Sequence, residues 1–120
     1  MNIEEFREHC MNVKGASESF PFDDTTLVFK VMDKMFAYCG LEPKDGEFFA
    51  NMKCDPERAA ELRARYEGVQ PGYHAAKKMW NSVYLQSDVP DELIVELLHH
   101  SVDEVIAKLS KKKQEEYRNL

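Results

Sequence analysis

The stretch Thr25-Thr26-Leu27-Val28-Phe29-Lys30-Val31-Met32-Asp33-Lys34-Met35-Phe36-Ala37-Tyr38-Cys39-Gly40-Leu41 decides the fold class. Leu27, Phe29 and Val31 recur at every second residue and line one face of a strand, while Lys30 points the other way. Asp33-Lys34 is a short polar break, and Met35 to Cys39 continues as a second strand rich in aromatics. A connection this short leaves no room for a crossover helix, so the two strands pair antiparallel. Glu42 to Gly46 reads as the next turn and Glu47 to Lys53 as a third strand.

Helices flank this meander. Ile3, Phe6, Cys10 and Val13 recur at helical spacing, which predicts an amphipathic helix over 2–13 ended by Gly15. Residues 15–24 are rich in turn formers and read as a connecting loop, with Phe20 and Phe22 around Pro21 either packed as a lid on the core or forming a binding surface. After the third strand, Asp55 is placed to cap free backbone N–H groups, Pro56 suits the first turn and Glu57 favours its positive end. Ala59, Leu62 and Tyr66 supply that helix's packing stripe, and Gly68 to Gly72 breaks it. Trp80 to Leu85 reads as a strand. Asp88, Pro90 and Asp91 signal a helix start, with Ile94, Leu97 and Leu98 as its apolar face. Ser101 followed by Glu104 resembles a capping box, which predicts two helices meeting near His100-Ser101, a single continuous helix being the alternative. Val102, Val105, Ile106 and Leu109 make the last stripe, and 111–120 is a charged helical tail, solvated or frayed.

These elements define an α+β domain: a two-layer arrangement in which an antiparallel sheet carries helices on one face, in the order helix, three strands, helix, one or two further strands, then one or two helices. The chain has 120 residues, a length that suits one such domain spanning 1–120. Its 43% hydrophobic and 32% charged residues are those of an ordinary water-facing protein with a closed core. No run approaches the roughly 18 apolar residues that cross a bilayer. The opening MNIEEFREH lacks the apolar core of a secretory signal, so the expectation is a cytoplasmic protein without a membrane partner. Cys10, Cys39 and Cys54 are odd in number and widely spaced, which speaks against a disulfide framework or a local zinc site and for reduced thiols.

The segment Gly68-Val69-Gln70-Pro71-Gly72-Tyr73-His74-Ala75-Ala76-Lys77-Lys78-Met79-Trp80-Asn81-Ser82-Val83 resembles the MmcQ/YjbR family, in which a PGYH element precedes a Lys-Lys pair and a Trp-Asn-Thr/Ser-Val run. Phe20-Pro21-Phe22, Val28 to Val31, Lys34 to Ala37, Lys53 to Glu57 and Ser87 to Asp91 fall in the family's order as well, so the likeness spans about residues 3–112. Two positions depart from it. Ala75-Ala76 stands where the family commonly has Met-Asn, and Met79 where it often has a second His. The resemblance implies the α-β-β-β-α-β-β-α fold, similar in architecture to type III secretion chaperones, and DNA binding through wing-like hairpins. A likeness of fold does not transfer the chaperones' function.

Tyr73, His74, Lys77, Lys78, Trp80 and Asn81, together with Lys30 and Lys34 of the first hairpin, are the candidate ligand or nucleic-acid surface. Lysines meet phosphates, and Tyr and Trp stack on bases. The competing reading puts Tyr73 and Trp80 at the core edge, gives His74 a structural hydrogen bond and leaves the lysines to water. Strand alternation also sets Lys78, Trp80 and Ser82 on one face and Lys77 and Asn81 on the other, unless a bulge intervenes. The net charge of −6 supplies no overall basic field for DNA. His99-His100, near an expected helix end, cannot share one helix face and make a poor metal pair. Lys111-Lys112-Lys113 is followed by Glu115-Glu116 and suits a solvated helix. The chain carries no Walker loop, Rossmann fingerprint, HExxH or GxSxG, so no cofactor and no catalytic residue is assigned. Three classes follow: a DNA-binding module, a protein-interaction adaptor or chaperone-like protein using Phe20, Phe22 or Trp80, and a small-molecule binder or enzyme using His74.

Overall fold

The computed structural model describes residues 1–72 and 79–120. The chain runs α1 (Ile3–Met11), β1 (Ser17–Ser19), β2 (Thr26–Val31), β3 (Lys34–Gly40), β4 (Phe49–Lys53), α2 (Pro56–Arg65), β5 (Val69–Pro71), β6 (Trp80–Tyr84), α3 (Asp91–Ala107) and α4 (Lys111–Arg118). The six strands form one antiparallel sheet in the order β1-β2-β3-β4-β6-β5. The expected α+β class and its helix-covered sheet are therefore present.

The β2–β3 hairpin turns on Met32 and Asp33, both left-handed at φ 50° and 62°. That places the turn one residue earlier than the polar pair Asp33-Lys34 suggests, because a two-residue turn with two positive φ values matches the twist of the flanking strands. Past the turn, the register slips between Phe29 and Lys30: Phe29 pairs with Ala37 and Lys30 with Met35. Phe36 is the extra residue of this bulge, and both Phe36 and Ala37 join the core.

One face of the sheet contributes Leu27, Phe29, Val31, Ala37, Cys39, Ala50, Met52, Val69 and Val83 to the core. Against it lie Phe6 and Cys10 of α1, Ala59 and Leu62 of α2, and Ile94, Leu98 and Val102 of α3. Phe6 meets Phe29 edge-on, with ring centroids 6.2 Å apart.

The helix ends behave as their residues require. Asn2 and Glu5 close a capping box on α1, and Asp55 accepts the Arg58 N–H at the start of α2 with Pro56 in the first turn. The predicted break at His100-Ser101 is absent, and α3 runs continuously to Ala107. Ser101 is wholly buried, and its hydroxyl serves the sheet instead of a helix start: it accepts the Lys53 N–H at 2.9 Å and donates to the Phe36 carbonyl at 2.6 Å. The two histidines accordingly lie mid-helix, and His100 Nε2 accepts the Asp55 N–H. Asp88 does not cap α3 either. Its carboxylate takes the N–H groups of Glu67 and Gly68 and fixes the turn between α2 and β5.

Two further features lie near the N-terminal connection. Residues Ser17–Ser19 extend the sheet as a short edge strand where a loop was expected, because Glu18 is anchored on α1 by both Arg7 donors. The charged tail is helical, and its end docks on the α1–β1 turn: Lys14 sits 4.8 Å from the Tyr117 ring centre and donates to the Arg118 carbonyl.

Candidate functional site

No described helix covers the second face of the sheet. Register assigns to it Val28 and Lys30 of β2, Met35 and Tyr38 of β3, Phe49, Asn51 and Lys53 of β4, and Trp80, Ser82 and Tyr84 of β6. This face is rich in rings: Phe49 and Tyr84 stand at paired positions of β4 and β6, and Tyr38 and Trp80 meet across the intervening β4. Tyr38 and Trp80 lie with centroids 5.6 Å apart, and Phe49 and Tyr84 5.4 Å apart. Between them the buried pair Asn51 and Ser82 is joined by a 2.6 Å hydrogen bond from the Ser82 hydroxyl.

A cleft of about 420 Å³ opens on this face, bounded by Phe22, Asp23, Met35, Tyr38, Phe49 and Asn51 among the described residues. Phe22 is 68% exposed and Phe20 47%, so neither packs as a lid on the core; Phe22 instead forms one wall of the cleft. Asp23 is fixed at the rim by accepting the N–H groups of Thr25 and Thr26, which holds its carboxyl below its ordinary value and keeps it ionised. Burial pushes the Tyr38 phenol up to about 12, so it remains a neutral donor.

The sequence-derived site residues are distributed unevenly over this geometry. Trp80 stands on the helix-free face, half-buried, and Lys30 shares that face with β3 and β4 lying between them. Lys34 is exposed at the hairpin end. Asn81 points to the opposite side: it is 2% exposed and accepts a 2.6 Å hydrogen bond from Arg63 Nε of α2. That bond ties α2 to β6 and orients the strand carrying Trp80. Tyr73, His74, Lys77 and Lys78 lie outside the described residues. Tyr38, Phe49, Met35, Asn51 and Lys53 did not stand out in the sequence. The signal that could have found them is the alternation of β3 and β4 laid against the strand of Trp80, which needs the strand order first.

The thiols offer no reactive centre among the described residues. Cys10, Cys39 and Cys54 are buried on the helix side, and desolvation raises all three, Cys39 to about 12 and Cys54 to about 11. No group of three metal-ligating side chains occurs among the described residues, and no described helix is long and apolar enough to cross a membrane.

The molecule is thus defined as a small α+β protein whose antiparallel sheet is covered by helices on one face and carries an aromatic cleft on the other. Residues 11–103 match the model of the family described as YjbR. The Escherichia coli K12 protein YjbR is 31% identical over 114 residues, 95% of either chain. YbdF of Escherichia coli O157:H7 is 32% identical over 99 residues, 82% of this chain and 80% of its own. A crystal structure of a Deinococcus radiodurans protein, 38% identical, superposes with a TM-score of 0.87 over 97% of this chain and 87% of that one. The chain belongs to the MmcQ/YjbR family.

Proposed function

We propose that this protein binds single-stranded nucleic acid, DNA being the first candidate, across the helix-free face of its sheet, without catalysing a reaction. The observation that carries the reading is the Tyr38–Trp80 ring pair beside an apolar cleft large enough for one base, with Lys30 and Lys34 on the adjoining hairpin. Unstacked bases gain about 1–3 kcal/mol each by stacking on aromatic side chains, and this term does not need a strongly basic protein. Duplex binding depends more heavily on phosphate neutralisation, which a net charge of −6 opposes. The β2–β3 hairpin is the element that would present Lys30 and Lys34 to the backbone.

The experiment is a titration with a short fluorescent oligothymidylate at about 50 and about 200 mM salt, with a duplex of equal length alongside. Trp80 is the sole tryptophan, so stacking on this face quenches the intrinsic fluorescence as the oligonucleotide binds. Saturable quenching that weakens with salt supports the reading. Absence of binding at low salt, or equal quenching in the presence of the duplex, overturns it.

A second reading rests on the exposure of Phe20 and Phe22 beside the same cleft, which suits an apolar side chain of a protein partner. Binding unaffected by salt and abolished by Phe22→Ala would favour it.

A further inference from the structure

A second concavity of about 280 Å³ lies at the hairpin end of the sheet, bounded by Lys34, Met35, Lys53, Val105, Lys108 and Leu109. Three elements supply one lysine each: the start of β3, the end of β4 and the C-terminal cap of α3. No carboxylate lies within ion-pairing distance of any of the three among the described residues. Met35 belongs to the walls of both this pocket and the aromatic cleft, so the two lie on either side of one side chain.

Placing three ammonium groups around one small concavity is electrostatically unfavourable unless something anionic joins them, and the rest of the molecule carries an acidic excess. The carbonyls at the end of α3 account for one lysine there, Lys108 at the cap. They do not account for Lys34 and Lys53, which arrive from the sheet. We infer that Lys34, Lys53 and Lys108 form a binding site for a phosphate group, set beside the aromatic cleft so that a nucleotide's base and phosphate occupy the two in turn. This deepens the nucleic-acid reading and rests on it for the nucleotide, while the pocket's affinity for phosphate stands separately.

The electrostatics of the pocket agree with the geometry. Lys53 is held below its ordinary value, first by burial and then by the neighbouring charge and contact of Lys108, with Glu104 opposing. An anion seated between the two lysines removes that repulsion. Lys108 also approaches the Met79 sulfur at 4.0 Å, which keeps its side chain directed toward β6.

The test is an amide NMR titration with inorganic phosphate, against sodium chloride at matched ionic strength. It uses the wild-type protein, Lys53→Gln/Lys108→Gln and Trp80→Ala. The expected result is saturable shifts confined to residues near 34, 53 and 105–109, at least about tenfold weaker in the double variant and unchanged in Trp80→Ala. Shifts that chloride reproduces, or that survive intact in the double variant, overturn the site. The oligonucleotide titration run on the same proteins separates the two ideas. Phosphate binding without oligonucleotide binding leaves the pocket standing and removes the strand reading. Oligonucleotide binding that quenches Trp80 without any phosphate response does the reverse.

Discussion

Ser101 Oγ accepts the backbone N–H of Lys53 at 2.9 Å, and the same hydroxyl donates to the Phe36 carbonyl at 2.6 Å. Phe36 and Lys53 would be the next rung of the β3–β4 ladder after Ala37 and Met52. A helix side chain completes that rung in place of a strand pair, at the point where the Phe36 bulge displaces β3. The link also fixes α3 relative to the end of β4, where Lys53 meets Lys108.

Ser101→Ala leaves a buried donor and a buried acceptor without this partner. The expected loss is about 1–3 kcal/mol in unfolding free energy, measured by urea denaturation. Ser101→Thr keeps the hydroxyl and separates the hydrogen bonds from the packing: it should restore stability only if the extra methyl is tolerated in a fully buried site.

Trp80→Ala tests the ring face. It should weaken oligothymidylate binding by about 1–3 kcal/mol, a roughly five- to 150-fold rise in Kd, read by fluorescence anisotropy because the intrinsic signal is lost with the tryptophan. The far-ultraviolet circular dichroism should stay unchanged. Unaltered affinity in a folded variant would remove stacking on this face from the mechanism.

Gly68→Ala is expected to disrupt the α2–β5 turn. A Cβ at this position would lie 2.0 Å from Ser87 Oγ and 3.0 Å from the Asp88 carboxylate that receives two backbone N–H groups. The loss should be about 1–3 kcal/mol. Combining it with Ser87→Ala recovers only part of the loss, because the Ser87 Cβ itself stands 2.6 Å away. Thermal melts of the two single variants and the pair distinguish the contributions.

The cysteines should be inert to a thiol reagent in the native protein and react fully in denaturant. Their pH effect has a definite sign. Folding raises Cys39 to about 12 and Cys54 to about 11 by desolvation, so the native state holds these protons more tightly than the unfolded chain. Their contribution to stability is complete below the unfolded value near about 8.5 and is lost as pH rises from there through about 11 to 12. Urea midpoints measured from pH 7 upward should fall in wild type, and fall less in Cys39→Ala/Cys54→Ala relative to that variant's own midpoint at pH 7.

Local chemistry determined most of the elements. The alternation of Leu27, Phe29 and Val31, the Asp55-Pro56-Glu57 helix start and the Ile3-Phe6-Cys10 spacing each state one element in a window of a few residues, and each is found where it was expected. The same locality misled at Ser101. A serine three residues before a glutamate has the pattern of a capping box, and only the approach of β3 and β4 turns its hydroxyl into a sheet contact. Phe22 is similar: a phenylalanine beside proline is apolar wherever it stands, and whether it closes a core or walls a cleft depends on the elements around it.

An antiparallel sheet with amphipathic helices is already written in local patterns, because periodicity and end signals act between residues that are neighbours along the backbone. Residue type also brought Lys30, Lys34 and Trp80 to notice. Which rings share a face is a matter of packing, since it follows from the strand order β3-β4-β6 and from a one-residue bulge that changes which side chains face the core. The lysine pocket belongs wholly to that second class: Lys34, Lys53 and Lys108 are far apart in sequence, and their repulsion exists only once the packing of α3 on the sheet has brought them together.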